Sequence, residues 1–203
     1  LYWRDFYYYL AAHKPEVLDG VPIPSKLRYS EINWRNDPKE FDRWCRGETG
    51  FPVVDAGIRQ LNSTGFMHNR ARMIVAMFLT KDLQIDWRWG EKHFAQKLVD
   101  YDRAQNAGGW AWCAGTGTDG SPFLRIFNPW LQQKKFDPDC VYIKRWVKEL
   151  AGVSPADIHN WPEACSKHPG VYFRPMVDHS QAKIKALEAY GENKGGKKSY
   201  KDS

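Results

Sequence analysis

The segment 68–83 constrains the fold of this chain most, because it is apolar on most of the circumference that a helix would present. Met73 and Met77 form one row with a spacing of four residues, and Ile74 and Phe78 form the adjacent row. A helix that is apolar on most faces is buried on most of them. The longest uninterrupted apolar run has seven residues, far below the roughly 20 that a membrane span needs. The sequence therefore predicts a core helix here.

Spacings of three and four residues recur along the rest of the chain and predict further helices. These cover residues 3–12, 38–46, 53–61, 91–99, 102–112, 138–150 and 181–190. The predicted N-caps are Asp37, Asp102 or its neighbour, and Asp137, and the predicted helix end is Gly65. In the helix at 91–99, the side chains expected to face inward are Phe94, Leu98 and Val99. No alternation of apolar and polar residues indicates a sheet, so we predict an all-α, multi-helix fold with long connections at 18–36, 115–127 and 154–175.

Aromatic residues are unusually frequent: ten Trp, ten Tyr and ten Phe make up 15% of the 203 residues. Cores usually take few Trp side chains, because the indole is large and carries an N–H group. Three explanations stay open, namely a core of large residues, a surface that stacks flat π-systems, and a chain of indoles that carries electrons. The net charge of +6 favours a polyanionic partner without naming one.

Composition and cysteine spacing exclude several classes of protein. A hydrophobic share of 42% and a mean hydropathy of −0.65 exclude a membrane protein and do not indicate disorder. The four cysteines are scattered, with no C-x-x-C and no paired His, so no metal site is predicted and we expect reduced thiols. The first residues lack the order of a secretory signal peptide, and we expect a cytoplasmic protein. Residues 191–203 are predicted to be a disordered basic tail.

Two polar rows lie on predicted helices. Asn69 and Arg72 share one face of the core helix, and an Arg on a buried face needs a carboxylate or a phosphate as partner. An Arg–Asp pair between two helices or a bound anion satisfies this requirement. Asp102, Asn106 and Trp110 place a carboxylate, an amide and an indole in one row. That row lines a flat heterocycle, or it is an N-cap followed by a polar helix face.

The segment 108–119 is rich in Gly and Trp, which allow a close approach of the backbone and offer a ring to stack on. It contains no Walker A loop, and no predicted strand precedes it as a Rossmann fingerprint requires. Neither Gly-x-Ser-x-Gly nor His-Glu-x-x-His occurs in the chain, so the sequence does not indicate a hydrolase of either corresponding type.

Six motifs follow one another along the chain: WRDFY (3–7), TGFPVVDA (49–56), GFMHNRARM (65–73), KDLQIDWR (81–88), NAGGWAW (106–112) and RIFNP (125–129). In order and spacing they resemble the C-terminal FAD-binding domain of DNA photolyases and cryptochromes. The resemblance runs from residue 1 to about residue 190. It implies a helical FAD-binding and catalytic domain over 1–190, followed by the basic tail.

The resemblance implies a light-driven reaction. Reduced FAD, excited by near-UV or blue light, gives one electron to a pyrimidine dimer flipped out of DNA, the dimer splits and the electron returns. The implied FAD-binding residues are Asn69, Arg72, Asp100, Asp102 and Asn106. Among them, Asn106 resembles the amide that faces the reactive flavin nitrogen, and Arg72 and Asp100 resemble an ion pair over the flavin ring. The tryptophan chain that carries an electron to oxidised FAD is implied at Trp110, Trp87 and Trp34.

Contacts with DNA are implied at a further set of positions. Trp3 and Trp112 resemble the two indoles that stack on the flipped dimer, with Asn69 and Met73 at its edge. The positions that resemble DNA-side contacts, most naturally with phosphates, are Arg4, Arg70, Arg125, Gln132 and Lys135. Asn106 and the two indoles resemble the bacterial branch that repairs cyclobutane pyrimidine dimers (CPD).

Two parts of the family pattern have no counterpart in these 203 residues: the α/β antenna domain and a Thr-Ser-x-Leu-Ser-type loop that grips the FAD phosphates. We therefore expect a catalytic fragment whose activity depends on retention of FAD and whose antenna chromophore is unknown. Its expected partner is DNA containing pyrimidine dimers, and we expect a monomer with no membrane or protein partner. The alternatives are a cryptochrome-like blue-light photoreceptor and a flavin-free DNA-binding helical module.

Overall fold

The apolar segment 68–83 is helical and buried in the structure, a computed structural model that describes residues 1–21, 32–118 and 124–191 and the backbone of 200–202. It forms helix α4 (Asn69–Met77), which continues as a π-helical turn (Phe78–Asp82). His68 caps α4 by accepting the backbone N–H of Arg70 at its Nδ1, at 3.1 Å. The predicted core helix is therefore present, with a change of helical type at its C-terminal end.

Helices make up most of the described chain, so the all-α prediction is confirmed. In addition to α4 they are α1 (Tyr2–His13), α2 (Pro38–Arg46), α3 (Pro52–Thr64), α5 (Trp87–Lys97), α6 (Arg103–Ala114), α7 (Pro129–Phe136), α8 (Val141–Trp146), α9 (Pro155–His159), α10 (Trp161–Ala164) and α11 (His179–Ala189). Short 3₁₀ turns cover Pro15–Asp19, Lys148–Leu150 and Cys165–Lys167. Two short strands, β1 (Leu124–Ile126) and β2 (Tyr200–Asp202), pair in parallel.

The polar caps predicted for two helices and the predicted glycine at the end of a third are present. Asp37 accepts the backbone N–H groups of Lys39 and Glu40 at the start of α2, at 2.8 and 3.1 Å. Asp102 caps α6 by accepting the backbone N–H of Gln105 at 2.9 Å. Gly65 follows α3 with φ +70°, the left-handed conformation that glycine adopts without a steric penalty.

Three local predictions are wrong. The connection predicted over 154–175 contains α9, α10 and a 3₁₀ turn. Val99 is 79% exposed, because α5 ends at Lys97 and the chain turns outward there, with the backbone N–H of Val99 donated to Gly65 O. The helix predicted over 138–150 is divided into α8 and a 3₁₀ turn. Cys140 has φ +56°, and Asp137 accepts the backbone N–H groups of residues 142 and 143, so the helix begins only at Val141.

The core lies between α3, α4, α5 and α6 and extends to α8–α10. Trp44 and Trp161 are fully buried in it, and each indole N–H donates to a backbone carbonyl, Val75 O at 3.2 Å and Phe173 O at 2.8 Å. A buried indole without such a partner would lose the hydrogen bond it makes to water. Part of the aromatic surplus is therefore a core of large residues.

All four cysteines lie within the described part of the chain, and none of them forms a disulfide. Among the described residues, no group of three or more His, Cys, Asp or Glu side chains could hold a metal ion. Over the same residues, no helix is both long and apolar enough to cross a bilayer. Apart from Gly191 and the backbone of 200–202, the predicted disordered tail lies outside the described residues.

The buried imidazole of His93 predicts a pH-dependent stability. Burial, with a smaller contribution from Lys97, lowers the pKa of His93 from 6.5 to about 4. Between these values the unfolded chain binds more protons than the folded chain, so the free energy of unfolding falls as the pH is lowered from 6.5 to 4. We expect His93→Phe to abolish about 1–3 kcal/mol of this fall in urea titrations at pH 7 and pH 4.5.

The matched control for this prediction is Phe78→Leu, which changes a buried aromatic side chain without a titratable group. The control is expected to keep the difference in stability between the two pH values. An unchanged difference in stability between the two pH values in His93→Phe would show that carboxylates alone cause the fall.

Candidate functional site

Helices α1, α4, α5 and α6 and the connection at 98–102 enclose a cavity of about 440 Å³, which lies within the usual size range of small-molecule sites. Nine of the residues singled out in the sequence line it together: Trp3, Asn69, Arg72, Met73, Asp100, Asp102, Asn106, Trp110 and Trp112. They come from segments separated by up to about a hundred residues of chain. The fold thus brings the aromatic, amide and charged candidates to one place.

Arg72 and Asp100 form an ion pair in the cavity wall. Arg72 Nη2 lies 3.1 and 2.9 Å from the two carboxylate oxygens of Asp100, and its Nε donates to Met67 O at 2.7 Å. The Arg72 side chain is 27% exposed and the Asp100 side chain 47%. The pair links α4 to the connection before α6, and it also places both signs of charge beside the cavity.

Asp102 lies at the N-terminus of α6 and is held from two directions. In addition to its cap to Gln105, it accepts the hydroxyl of Tyr8 from α1. Partial burial raises the pKa of Asp102, but the hydrogen bonds from Tyr8 and from backbone N–H groups outweigh that effect and hold the pKa below its usual range. The carboxylate is therefore ionised at neutral pH beside the cavity.

The amide of Asn106 has a fixed orientation. Its Nδ2 donates to Glu91 Oε1 at 2.9 Å and to Glu91 O at 3.1 Å, and the residue is 9% exposed. No hydrogen bond from the described residues reaches its oxygen Oδ1, which remains available to accept one from a ligand. Glu91 was not among the predicted residues, because it lies on a different helix and no spacing in the sequence connects it to Asn106.

Three indoles border the cavity at different depths. Trp110 is 3% exposed, with its ring centroid 5.0 Å from that of Phe94, and it packs over Gly90 of α5, where a Cβ would overlap the indole. Trp3 on α1 is 64% exposed, and Trp112 on α6 is half-buried. The cavity therefore has an indole in its wall and two indoles at more accessible positions.

Trp87 and Trp34 do not line the cavity. Trp87 is buried at the start of α5 in the same core cluster as Trp110. Trp34 is half-buried, packs against that cluster and meets Tyr190 edge to face with the ring centroids 6.2 Å apart. Of the three tryptophans, Trp110 and Trp87 are therefore buried in one core cluster, and Trp34 is partly exposed against it.

The five residues predicted on the DNA side lie outside the cavity. Arg4 is exposed beside Asp5, and Arg125 lies over the ring of Trp112 at 5.1 Å. Arg70 is half-buried, and Lys135 is exposed. Gln132 departs from the prediction: it is on the inner face of α7 and only 4% exposed, so contact with a phosphate at the surface does not fit it.

Several lining residues were not predicted. They are Tyr7, Ala76, Phe94, Leu98, Gln105, Gly109 and Cys113. Phe94 and Leu98 are identified in the sequence as inward-facing, but their apolar periodicity is that of ordinary core residues. Nothing in a helical pattern distinguishes a side chain that faces a cavity from one that faces another side chain.

Comparison with known proteins identifies the family. Residues 1–192 match the family model of the FAD-binding domain of DNA photolyase. The chain belongs to this family. It is 50% identical to a deoxyribodipyrimidine photo-lyase of Vibrio cholerae over 198 residues, which are 96% of this chain and 41% of that protein. It is 44% identical to the deoxyribodipyrimidine photo-lyase of Escherichia coli, covering 97% of this chain and 42% of that protein.

Solved structures show the same relationship. An archaeal photolyase from Sulfolobus tokodaii with two FAD molecules matches with a TM-score of 0.86 and 46% identity, covering 94% of this chain and 43% of that one. A cryptochrome from Synechocystis matches with a TM-score of 0.82 and 36% identity, covering 92% and 40%. The present chain spans about two fifths of the length of these relatives, so what the whole proteins do is carried over only as a proposal.

The described residues fit the ring system of a flavin. The cavity walls are largely aromatic or aliphatic, as a flat conjugated ring requires, and the free Oδ1 of Asn106 can accept a hydrogen bond from a ring N–H. The Cβ position of Gly109, which lines the cavity, has no atom within 4 Å, so there is open space above this turn of α6. Arg72 is the cation among the lining residues, and it is already paired with Asp100.

Two adjacent glycines on α6 provide a test of how α1 is placed. A Cβ at Gly108 would overlap the ring of Tyr7, whereas a Cβ at Gly109 would meet nothing within 4 Å. We expect Gly108→Ala to destabilise the chain by about 1–3 kcal/mol, because the ring and α1 must move. Gly109→Ala is expected to leave the stability unchanged or raise it by up to about 1 kcal/mol.

Urea unfolding measures both stabilities, and limited proteolysis after Arg4 of α1 and after Lys14, which follows the helix, reports whether α1 has detached. Equal stabilities of the two variants would show that α1 does not pack closely on Gly108.

Proposed function

We propose that this chain is the catalytic part of an FAD-dependent photolyase that repairs cyclobutane pyrimidine dimers in DNA by light-driven electron transfer. The convergence of Arg72, Asp100 and Asn106 with Trp3 and Trp112 on one cavity carries the proposal. The photolyase names of the relatives support the reaction class. Residues 1–190 form the proposed domain, and the basic tail follows it.

Five polar residues of the cavity have a proposed part in holding FAD. When bound, reduced FAD supplies an electron donor that light excites. Glu91 orients the amide of Asn106, whose oxygen would accept a hydrogen bond from an N–H group of the flavin ring. Arg72 and Asp100 would place a paired positive and negative charge beside the ring, and Asp102 would accept a hydroxyl or N–H group of the cofactor. Asn69 lies at the same wall.

The accessible indoles have the proposed task of holding the substrate. Photolyases are among the enzymes that take a nucleotide out of the duplex before they act on it. Trp3 and Trp112 offer faces for stacking, worth about 1–3 kcal/mol per base, and Asn69 and Met73 contact the edge of the dimer. The proposed phosphate contacts are Arg4, Arg70, Arg125 and Lys135, whereas Gln132 is not among them because it is buried.

The absorption spectrum of the purified chain tests the proposal. We expect a yellow protein with bound FAD, or one that becomes yellow on incubation with FAD, and loss of thymine dimers from an oligonucleotide under blue light with a reductant. A chain that stays colourless in excess FAD would contradict the proposal as an enzyme. Retained FAD that is reduced by light without any repair would favour the cryptochrome-like role, which the Synechocystis match keeps open. Gel filtration of the same sample tests the proposed monomer.

Trp110, Trp87 and Trp34 are proposed to carry an electron from the surface to oxidised FAD. This role differs from repair, in which the electron starts from FAD that is already reduced. We expect Trp110→Phe to slow the photoreduction of oxidised FAD by at least tenfold, because phenylalanine is much harder to oxidise than tryptophan. Repair by the chemically reduced variant is expected to stay within about twofold of the parent.

Transient absorption follows the photoreduction, and dimer loss per absorbed photon follows the repair. Trp161→Phe is the matched control, because it removes a fully buried indole that is not among the residues lining the cavity. Equal losses of photoreduction and repair in Trp110→Phe would contradict the separation of the two roles.

A further inference from the structure

Two of the proposed DNA-contacting cations share one aromatic ring. The guanidinium carbon of Arg70 lies 4.6 Å from the centroid of the Phe136 ring, and Lys135 Nζ lies 5.4 Å from the same centroid. Arg70 also lies 5.8 Å from the ring centroid of Phe127. These distances are within the range in which a cation is attracted to the face of a ring.

The shared ring connects two helix ends beside the cavity. Phe136 is the last residue of α7 and is 48% exposed, whereas Phe127 precedes α7 and is 5% exposed. Arg70 is the second residue of α4, and its neighbour Asn69 lines the cavity. The ring therefore holds its cations close to the proposed substrate site.

The charges of these two cations are not neutralised within the described part of the chain. Neither Arg70 nor Lys135 has a carboxylate partner there. The nearest acid in sequence to Lys135, Asp137, accepts backbone N–H groups of α8 instead. Two like charges on one ring repel each other, and an anion placed between them relieves that repulsion.

A ring beneath a cation also leaves its hydrogen-bond donors free. A guanidinium that stacks on an aromatic face keeps its N–H groups at the edge, where they match the oxygens of a phosphate. Among the described residues, no other ring pairs with the exposed ring of Phe136, so the contact with the two cations is what requires an aromatic side chain. Leucine would cover the same surface without attracting the cations.

We propose that Phe136 is a positioning residue for DNA binding: its ring holds Arg70 and Lys135 in place as a two-cation clamp on backbone phosphates beside the cavity. This proposal rests on the proposed function only in taking DNA as the ligand. Phe136 touches neither the cofactor nor the dimer in this proposal, and it acts through the two cations.

The test uses the full chain and an undamaged fluorescent duplex. Fluorescence anisotropy gives the affinity at salt concentrations between about 50 and 200 mM, a range over which affinity that depends on phosphate contacts falls steeply. We expect Phe136→Leu to weaken binding about threefold to tenfold, equally for undamaged and dimer-containing DNA, since phosphate contacts carry no sequence information. Phe136→Tyr keeps an aromatic ring at this position and is expected to bind with the affinity of the parent chain. Phe173→Leu, which changes a 38% exposed Phe without a cation on its ring among the described residues, is the matched control and is expected to bind like the parent.

A second comparison separates positioning from direct contact. In a chain that carries Arg70→Gln and Lys135→Gln, we expect Phe136→Leu to cause no further loss of affinity, because the cations through which it acts are gone. The two Gln substitutions themselves are expected to reduce the slope of log affinity against log salt by about 0.9 for each phosphate that is no longer neutralised. Lys148→Gln controls for the removal of an exposed positive charge elsewhere.

Each other outcome overturns the clamp. Parent affinity in Phe136→Leu would show that the ring does not position the cations. An additive loss in the Gln background would show that Phe136 contacts DNA directly, as a wedge. A parent chain that does not bind duplex DNA would show that DNA is not the ligand of the two cations. Failure of the proposed function is distinguishable, because it appears as missing FAD or missing dimer repair, neither of which enters the binding of undamaged duplex.

Discussion

The close packing of α6 against α1 and α5 is the constraint on which the site depends. At Gly108 the ring of Tyr7 from α1 occupies the space of a Cβ, and at Gly90 of α5 the indole of Trp110 from α6 does the same. Glycine is the residue that allows such an approach, at the cost of helix propensity. Because of these two contacts, the residues of α6 that face the cavity lie beside those of α1.

The polar contacts of the site orient side chains more than they stabilise the fold. The Arg72–Asp100 pair is partly exposed, with 27% and 47% of the side chains accessible, and exposed ion pairs contribute roughly 0–1 kcal/mol. The amide of Asn106 donates to Glu91, while no described residue donates to its oxygen. The fold therefore fixes the direction of the Asn106 oxygen but supplies no donor to it. An acceptor held in this way can bind a hydrogen-bond donor on a ligand.

Sequence reasoning predicted the parts of the molecule that follow from local rules. The apolar rows of α4, the Asp37 and Asp102 caps and the Gly65 helix end depend on neighbours within four residues, and all are present. The predicted helix start at Asp137 is wrong, because its carboxylate accepts the backbone N–H groups of residues 142 and 143. The predicted inward direction of Val99 is wrong, because α5 ends before it. The motifs of the family identified which residues converge, and local periodicity did not.

The aromatic surplus shows why composition alone left three explanations open. Trp44 and Trp161 are fully buried with their N–H groups bonded to carbonyls, so they serve the core. Trp3 and Trp112 keep accessible faces at the cavity. Trp110 belongs to both groups, since it packs in the core against Phe94 and also lines the cavity. One residue type therefore satisfies different demands in this chain, and burial together with the partner of the N–H group separates them.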